Sequence, residues 1–215
     1  MLQLYSICEW IAFICSCLLW AGGVKKEYRL FFFYSFFVVT VEYLGRWIAE
    51  VLKIPNHILY TIACFFFSCF YFYTVRLFLR DPKRQNAVVV SWLMFAVIYM
   101  VNILFFQRLS EFNSYSFIAG YVLVTIACSL YYTEFINRET IISLWKTPDF
   151  FIVSGYCLYA GLTAILYTIH HYFAYLKIPG SQYRIVFQQI NTVANVSLYL
   201  LLATAFVIIW KRRRL

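Results

Sequence analysis

Charge is what this chain has least of. Asp, Glu, Lys and Arg make up only 13% of the residues, where a soluble domain carries about a quarter. With 64% hydrophobic residues and a mean hydropathy of +0.75, too little polar surface remains to coat a water-soluble globule. Recognisable catalytic and metal patterns are also missing: there is no HExxH, no HxxxH and no CxxC pair. The seven cysteines all lie in apolar stretches, and Cys15 and Cys17 point in two directions on a helix. They read as small buried hydrophobes, not as disulfides or metal ligands. No basic segment precedes the first apolar run, whose first charge is Glu9, and no small-residue cleavage site follows it. That run is expected to be a retained helix, not a cleaved signal peptide.

What is present is a series of apolar runs of about twenty residues. They predict an all-α integral membrane protein, a single seven-transmembrane-helix bundle over 1–215. Its spans lie at about 3–22, 29–51, 57–79, 87–106, 115–136, 148–174 and 185–210. Spans and short loops use almost the whole length, so no soluble catalytic or ligand-binding domain is expected. The breaks carry turn chemistry: Gly22-Gly23, Pro55-Asn56, Asp81-Pro82, Thr147-Pro148 and Pro179-Gly180.

The net charge of +9 invites a nucleic-acid partner, but the basic residues are dispersed among loops and membrane edges, where topology and anionic headgroups explain them. No nucleic-acid partner is expected; the lipid bilayer is. Lys25, Lys26, Arg29, Arg80, Lys83, Arg84, Arg138, Lys146 and the tail from Lys211 to Arg214 fall on one side. Only Lys53, Arg108, Lys177 and Arg184 fall on the other, a ratio of about three to one. The N-terminus is therefore expected outside, the C-terminus cytoplasmic, and the chain multi-pass in a cell membrane.

That orientation gives the intramembrane polar residues a pattern. Glu9, Glu42, Arg46, His57, Asn102, His170, His171, Gln188, Asn191 and Asn195 all fall in the outer half of their spans. Ionisable groups in hydrocarbon are costly and usually face a bundle interior or a watery cavity. Glu42 and Arg46 are one helical turn apart and can pair, either as a packing lock or as a charged lining. Gln188, Asn191, Asn195 and Tyr199 form one stripe on the last span. Such amides are interhelical glue, worth about 0.6 kcal/mol each, or they line a pocket. A weaker hydroxyl stripe runs through Tyr121, Thr125, Ser129 and Tyr132. The aromatic runs, Phe31 to Phe33 and Phe65 to Phe67 among them, read as lipid-facing bulk and interfacial belt. A zinc site from His57, one of His170 and His171, and Glu9 or Glu42 is conceivable chemically. However, adjacent histidines diverge by roughly 100° on a helix. No metal or other cofactor is expected.

Three well-known seven-helix classes are disfavoured. The last span has no lysine between Arg184 and Lys211 for a retinal Schiff base. The third ends Tyr73-Thr74-Val75-Arg76 without an acidic-Arg-Tyr, and the seventh has no NPxxY. An intramembrane hydrolase of the alkaline-ceramidase kind would need an intramembrane Asp and a different histidine placement.

Asn56-His57-Ile58-Leu59-Tyr60 followed by Phe65 to Tyr73, then Asn102, resembles a family of small seven-helix membrane proteins of Bacteroidota-type bacteria. Glu9, Glu42-x-x-Gly45, Tyr131-Tyr132 before Glu134, Gly155 to Tyr159 and Asn195 to Tyr199 are similar too. The segment Asp149 to Gly155 departs from the family's Phe-Trp before that glycine. The resemblance implies a seven-helix bundle of the bacterial inner membrane, with an accessory or sensory role beside signalling proteins. It brings no catalytic residues.

The residues themselves point first to a receptor-like signalling component. It would bind a small polar ligand from outside through Glu9, Glu42, Arg46, His57, Asn102, His171, Gln188, Asn191 and Asn195, and act on a membrane or cytoplasmic partner. A small-solute or ion transporter or channel is the second reading. An outward-facing membrane enzyme, with or without zinc, is the third.

Overall fold

A computed structural model describes residues 4–21, 23–108, 113–138, 144–176 and 180–212, with the side chains of 21, 145, 171, 174, 175 and 180–183 outside the description. Among these residues there is no strand. Seven long helices run α1 (Leu4–Ala21), α2 (Lys26–Trp47), α3 (His57–Phe78), α4 (Pro82–Val101), α5 (Ser114–Ile136), α6 (Pro148–Tyr175) and α7 (Gly180–Arg212). Five stretches are long and apolar enough to cross a membrane: His57–Phe78, Pro82–Phe106, Ser114–Ile136, Pro148–His170 and Arg184–Arg212. α1 is apolar but shorter, and the apolar run of α2 is interrupted by Glu42 and Arg46. The architecture is that of a multi-pass helical membrane protein.

Local chemistry sets the ends. Asp81 caps α4, its carboxylate accepting from the Lys83 N–H at 2.9 Å, and Pro82 occupies the first turn, where a missing N–H costs little. α4 thus begins five residues before its apolar run at 87. Two helices widen into π-helical turns at the same end of the bundle: α2 continues as Ile48–Leu52 and α4 as Asn102–Phe106. The first stops at Lys53, which adopts a left-handed conformation (φ 54°). π-turns are uncommon and recur at functional sites.

α7 packs between α6 and α1, α1 packs on α2, and the series α6–α5–α4–α3 completes the round. α3 also touches α5 and α6, which places it towards the interior. Its contact with α2 is the least extensive between chain neighbours. α4 is peripheral, burying only Val88, Phe95 and Tyr99 along its length. It approaches α5 closely at Gly120, where an added Cβ would lie 2.6 Å from the Phe95 ring. Outward faces carry Leu93, Val97, Leu104, Phe105 and Ile165, all more than half exposed, which suits hydrocarbon and not water.

The end bearing the basic residues is clamped. The Glu134 carboxylate accepts from the backbone N–H groups of Arg80 (2.9 Å) and Asp81 (3.1 Å). Arg138 Nη2 donates to Glu134 at 3.2 Å and to the Phe78 carbonyl at 3.2 Å. Across the bundle, the Tyr28 hydroxyl donates to Asp149 at 2.8 Å, tying α2 to α6.

A tyrosine-lined candidate site

At the opposite end, which begins with His57, the helices diverge around a cavity of about 350 Å³. Every long helix except α4 contributes to its wall. α1 supplies Tyr5, α2 supplies Tyr34, Val38 and Glu42, and α3 and its leading turn supply Asn56, His57, Tyr60, Cys64, Phe67 and Tyr71. α5 and α6 add Phe117, Tyr121, Tyr159 and Tyr167, and α7 adds Phe187, Asn191, Asn195, Leu198 and Tyr199. Eight of the 19 tyrosines line it, against three of the 23 phenylalanines, so the wall selects hydroxyl-bearing rings and not aromatic bulk in general.

Glu42 is the carboxylate of the wall. Its Oε2 lies 3.4 Å from the Tyr60 hydroxyl and 3.9 Å from Arg46 Nη2. Arg46 is turned towards α1, donating to Ser6 Oγ at 2.5 Å, with its guanidinium carbon 5.8 Å from the Tyr5 ring centre. Gly45 makes the Tyr60 contact possible, because a Cβ there would sit 2.6 Å from the Tyr60 hydroxyl oxygen. The backbone carbonyl of Gly45 also accepts from Asn56 Nδ2 at 3.0 Å.

The floor is a set of paired hydroxyls and stacked rings. Tyr34 and Tyr71 share a hydrogen bond at 2.9 Å. Tyr71 sits 4.2 Å from the Tyr156 ring centre, and Tyr34 stacks on Phe70 at 4.5 Å. The Cys64 thiol donates to the Tyr121 hydroxyl at 3.3 Å, and Tyr121 meets Tyr159 edge-on. Beneath lie Phe72, Val75, Tyr131, Ile152 and Tyr156, all fully buried, so the cavity ends mid-bundle. Removing one hydroxyl of the Tyr34–Tyr71 pair strands the other. Tyr34→Phe and Tyr71→Phe are each expected to cost about 1–2 kcal/mol, and the double variant clearly less than their sum. Thermal unfolding in detergent measures this cycle; strictly additive costs would show that the two hydroxyls do not depend on each other.

The polar residues expected to form the site divide into several groups. Glu42, His57, Asn191 and Asn195 line the cavity together. Glu9 is buried beside it, on a small void between α1, α2 and α7 that shares Tyr34, Val38 and Tyr199 with the main wall. Arg46 braces Glu42 from behind. Asn102 is elsewhere: its amide donates to Ser116 Oγ (2.9 Å), Gln107 Oε1 (3.1 Å) and Asn113 Oδ1, stapling the α4–α5 connection. Gln188 is exposed and does not line the cavity. The His171 side chain lies outside the described residues, as noted. Among the described residues no three His, Cys, Asp or Glu side chains are grouped to hold a metal ion.

Of the two roles weighed for the α7 amides, interhelical glue and pocket lining, Asn195 shows the lining. Its Nδ2 donates to the Asn191 carbonyl (2.8 Å) and to Asn191 Oδ1 (3.0 Å), so it bonds its own helix while facing the cavity. Tyr121 and Tyr199 stood in the polar stripes of their spans, but the other cavity tyrosines are the part of the site that polarity alone did not single out. A signal was available: Tyr34, Tyr71, Tyr121, Tyr159 and Tyr199 lie in the middle of their spans, where a phenol needs a partner, and not at the interfaces that tyrosine usually anchors.

No family model matches the chain, and it has no significant match among curated proteins or solved structures. Function therefore rests on the geometry.

Proposed function

We propose that the chain is a receptor-like membrane component that binds a small polar molecule in the tyrosine-lined cavity and relays occupancy to a membrane or cytoplasmic partner. The observation that carries this reading is one cavity, built by six helices, that gathers Glu42, His57, Asn191 and Asn195 and stops at a hydroxyl-paired floor. Its volume falls in the range of small-molecule sites. In this reading all seven helices span a cell membrane, with the N-terminus outside and the cavity open to the outside. The family of small bacterial seven-helix proteins described above, with its role beside signalling partners, belongs to the same proposal.

A binding role is preferred to transport because fully buried Phe72, Val75, Tyr131, Ile152 and Tyr156 close the cavity from below. At that end Glu134 is held by Arg138 and Asp149 by Tyr28. Relay requires that the ligand bind two arrangements of the helices with different affinity. The thin α2–α3 contact, beside Glu42 and Tyr60, is where such a rearrangement costs least packing.

Accessibility tests this. In a background without other cysteines, Asn191→Cys is expected to react with a membrane-impermeant thiol reagent added from outside. Lys83→Cys is expected to react only from the inside, and Tyr131→Cys from neither. Reaction of Asn191→Cys from the side that labels Lys83→Cys would overturn the orientation. Reaction from neither side would overturn the open cavity.

A further inference from the structure

The cavity has a charge character that goes beyond polarity. Among the described residues its wall carries the carboxylate of Glu42 and no lysine or arginine. Arg46, the nearest cation, approaches only Glu42 Oε2, as does Tyr60, and is held by Ser6 and Tyr5 on the α1 side. Glu42 Oε1 has no protein partner among the described residues. Eight tyrosines share the wall with Glu42. Aromatic faces carry negative potential and attract a cation within about 6 Å, most strongly when it is desolvated.

A carboxylate with one oxygen left over, in a wall rich in tyrosine and without lysine or arginine, is a poor place for an anion and an indifferent one for a neutral solute. We infer that the ligand of this cavity is an organic cation, a quaternary ammonium or protonated amine. Its charge faces Glu42 Oε1, and its carbon substituents lie against Tyr60, Tyr121, Tyr159 and Tyr199. A compact inorganic cation would forfeit its hydration without enough oxygen ligands to replace it, whereas an alkylammonium is weakly hydrated and matches ring faces. This inference rests on the open-cavity reading above and specifies its ligand class.

The test compares two thiol reagents of similar size on Asn191→Cys: a trimethylammonium-ethyl and a sulfonato-ethyl methanethiosulfonate. Each rate is normalised to that at Gln188→Cys, which is exposed on the same helix but off the cavity. The cationic reagent is expected to be favoured at Asn191→Cys by about tenfold. Glu42→Gln should collapse that preference and Glu42→Asp should keep it. Benzyltrimethylammonium added from outside should protect Asn191→Cys, and phenylacetate should not. Equal normalised rates, or a faster sulfonate, overturn the cation while leaving the cavity intact. Failure of both reagents at Asn191→Cys, with Gln188→Cys reactive, overturns the cavity itself. The reagent comparison in the Glu42 background decides the matter even if Glu42→Gln does not fold. Vesicles of phosphatidylcholine and of phosphatidylglycerol separate two sources of the ammonium group. Slow cationic labelling only in phosphatidylcholine identifies a lipid headgroup as occupant; equal labelling in both, with protection by benzyltrimethylammonium, identifies a free amine.

Discussion

Replacing Glu134 by alanine is expected to destabilise the bundle by about 3–5 kcal/mol, the largest effect of any single polar substitution in this chain. The carboxylate is the shared acceptor for Arg80 N–H, Asp81 N–H and the Arg138 guanidinium, and the side chains of Glu134 and Arg138 are each only 11% exposed. Its loss leaves two backbone donors of the α3–α4 turn unpaired. It also leaves a guanidinium whose Nε already has no partner among the described residues. Breaking one side of a buried pair costs far more than the pair contributes, because the other charge stays behind without water. Thermal unfolding in detergent reads the effect. Glu134→Gln, which keeps one acceptor oxygen but no charge, should fall between wild type and alanine. A change within about 0.5 kcal/mol, typical of an exposed surface site, would show that the clamp does not hold this end together.

Gly45→Val is expected to disable the cavity with little loss of folded protein. A side chain there meets the Tyr60 hydroxyl at 2.6 Å and its ring carbons at 2.9 and 3.0 Å. Those atoms are the far end of a side chain with open space on its other side, so the tyrosine swings into the cavity instead of forcing α2 and α3 apart. Replacing a helical glycine by valine also recovers about 0.3 kcal/mol of helix propensity, which offsets part of the overpacking. The Tyr60 hydroxyl leaves Glu42, and the ring occupies space that a ligand needs. Labelling of Asn191→Cys from outside should slow about tenfold, the equivalent of some 1.4 kcal/mol, while the melting temperature stays near wild type. Unchanged labelling with a stable protein would mean that Tyr60 moves away from the cavity and takes no part in the site. The smaller Gly45→Ala should show the same direction at reduced size.

The fold was largely legible in the sequence because hydrocarbon leaves few options. With no water to satisfy backbone groups, each apolar run of sufficient length must be helical. Pro82, Pro148 and Asp81 mark helix starts by chemistry that acts within one turn. α4 and α7 each begin five residues before the expected span, at Pro82 and Gly180; for α4 this arises because Asp81 and Pro82 start the helix before its apolar face does. The site was legible in part. Glu42, His57, Asn191 and Asn195 stood out as polar groups in apolar surroundings. Asn102 stood out equally, yet it staples α4 to α5, since its partners Asn113 and Ser116 come from the next helix and its start. Polarity within a span announces that a partner exists; whether that partner is protein or ligand depends on the neighbouring helix.

The sequence by itself determined a helical, multi-pass membrane protein, the positions of its helices to within a few residues, and the presence of costly polar groups inside it. These follow from composition and local periodicity, which act along the chain. Only the tertiary structure decided which of those groups share a cavity, that eight tyrosines from six helices form its wall, and that Arg46 faces away from it while Glu42 faces in. Those facts depend on the rotation of each helix about its axis and on which helices are neighbours. Both are set by packing between segments far apart in the chain, such as Tyr34 on Tyr71 or Phe95 on Gly120, and no single span encodes them.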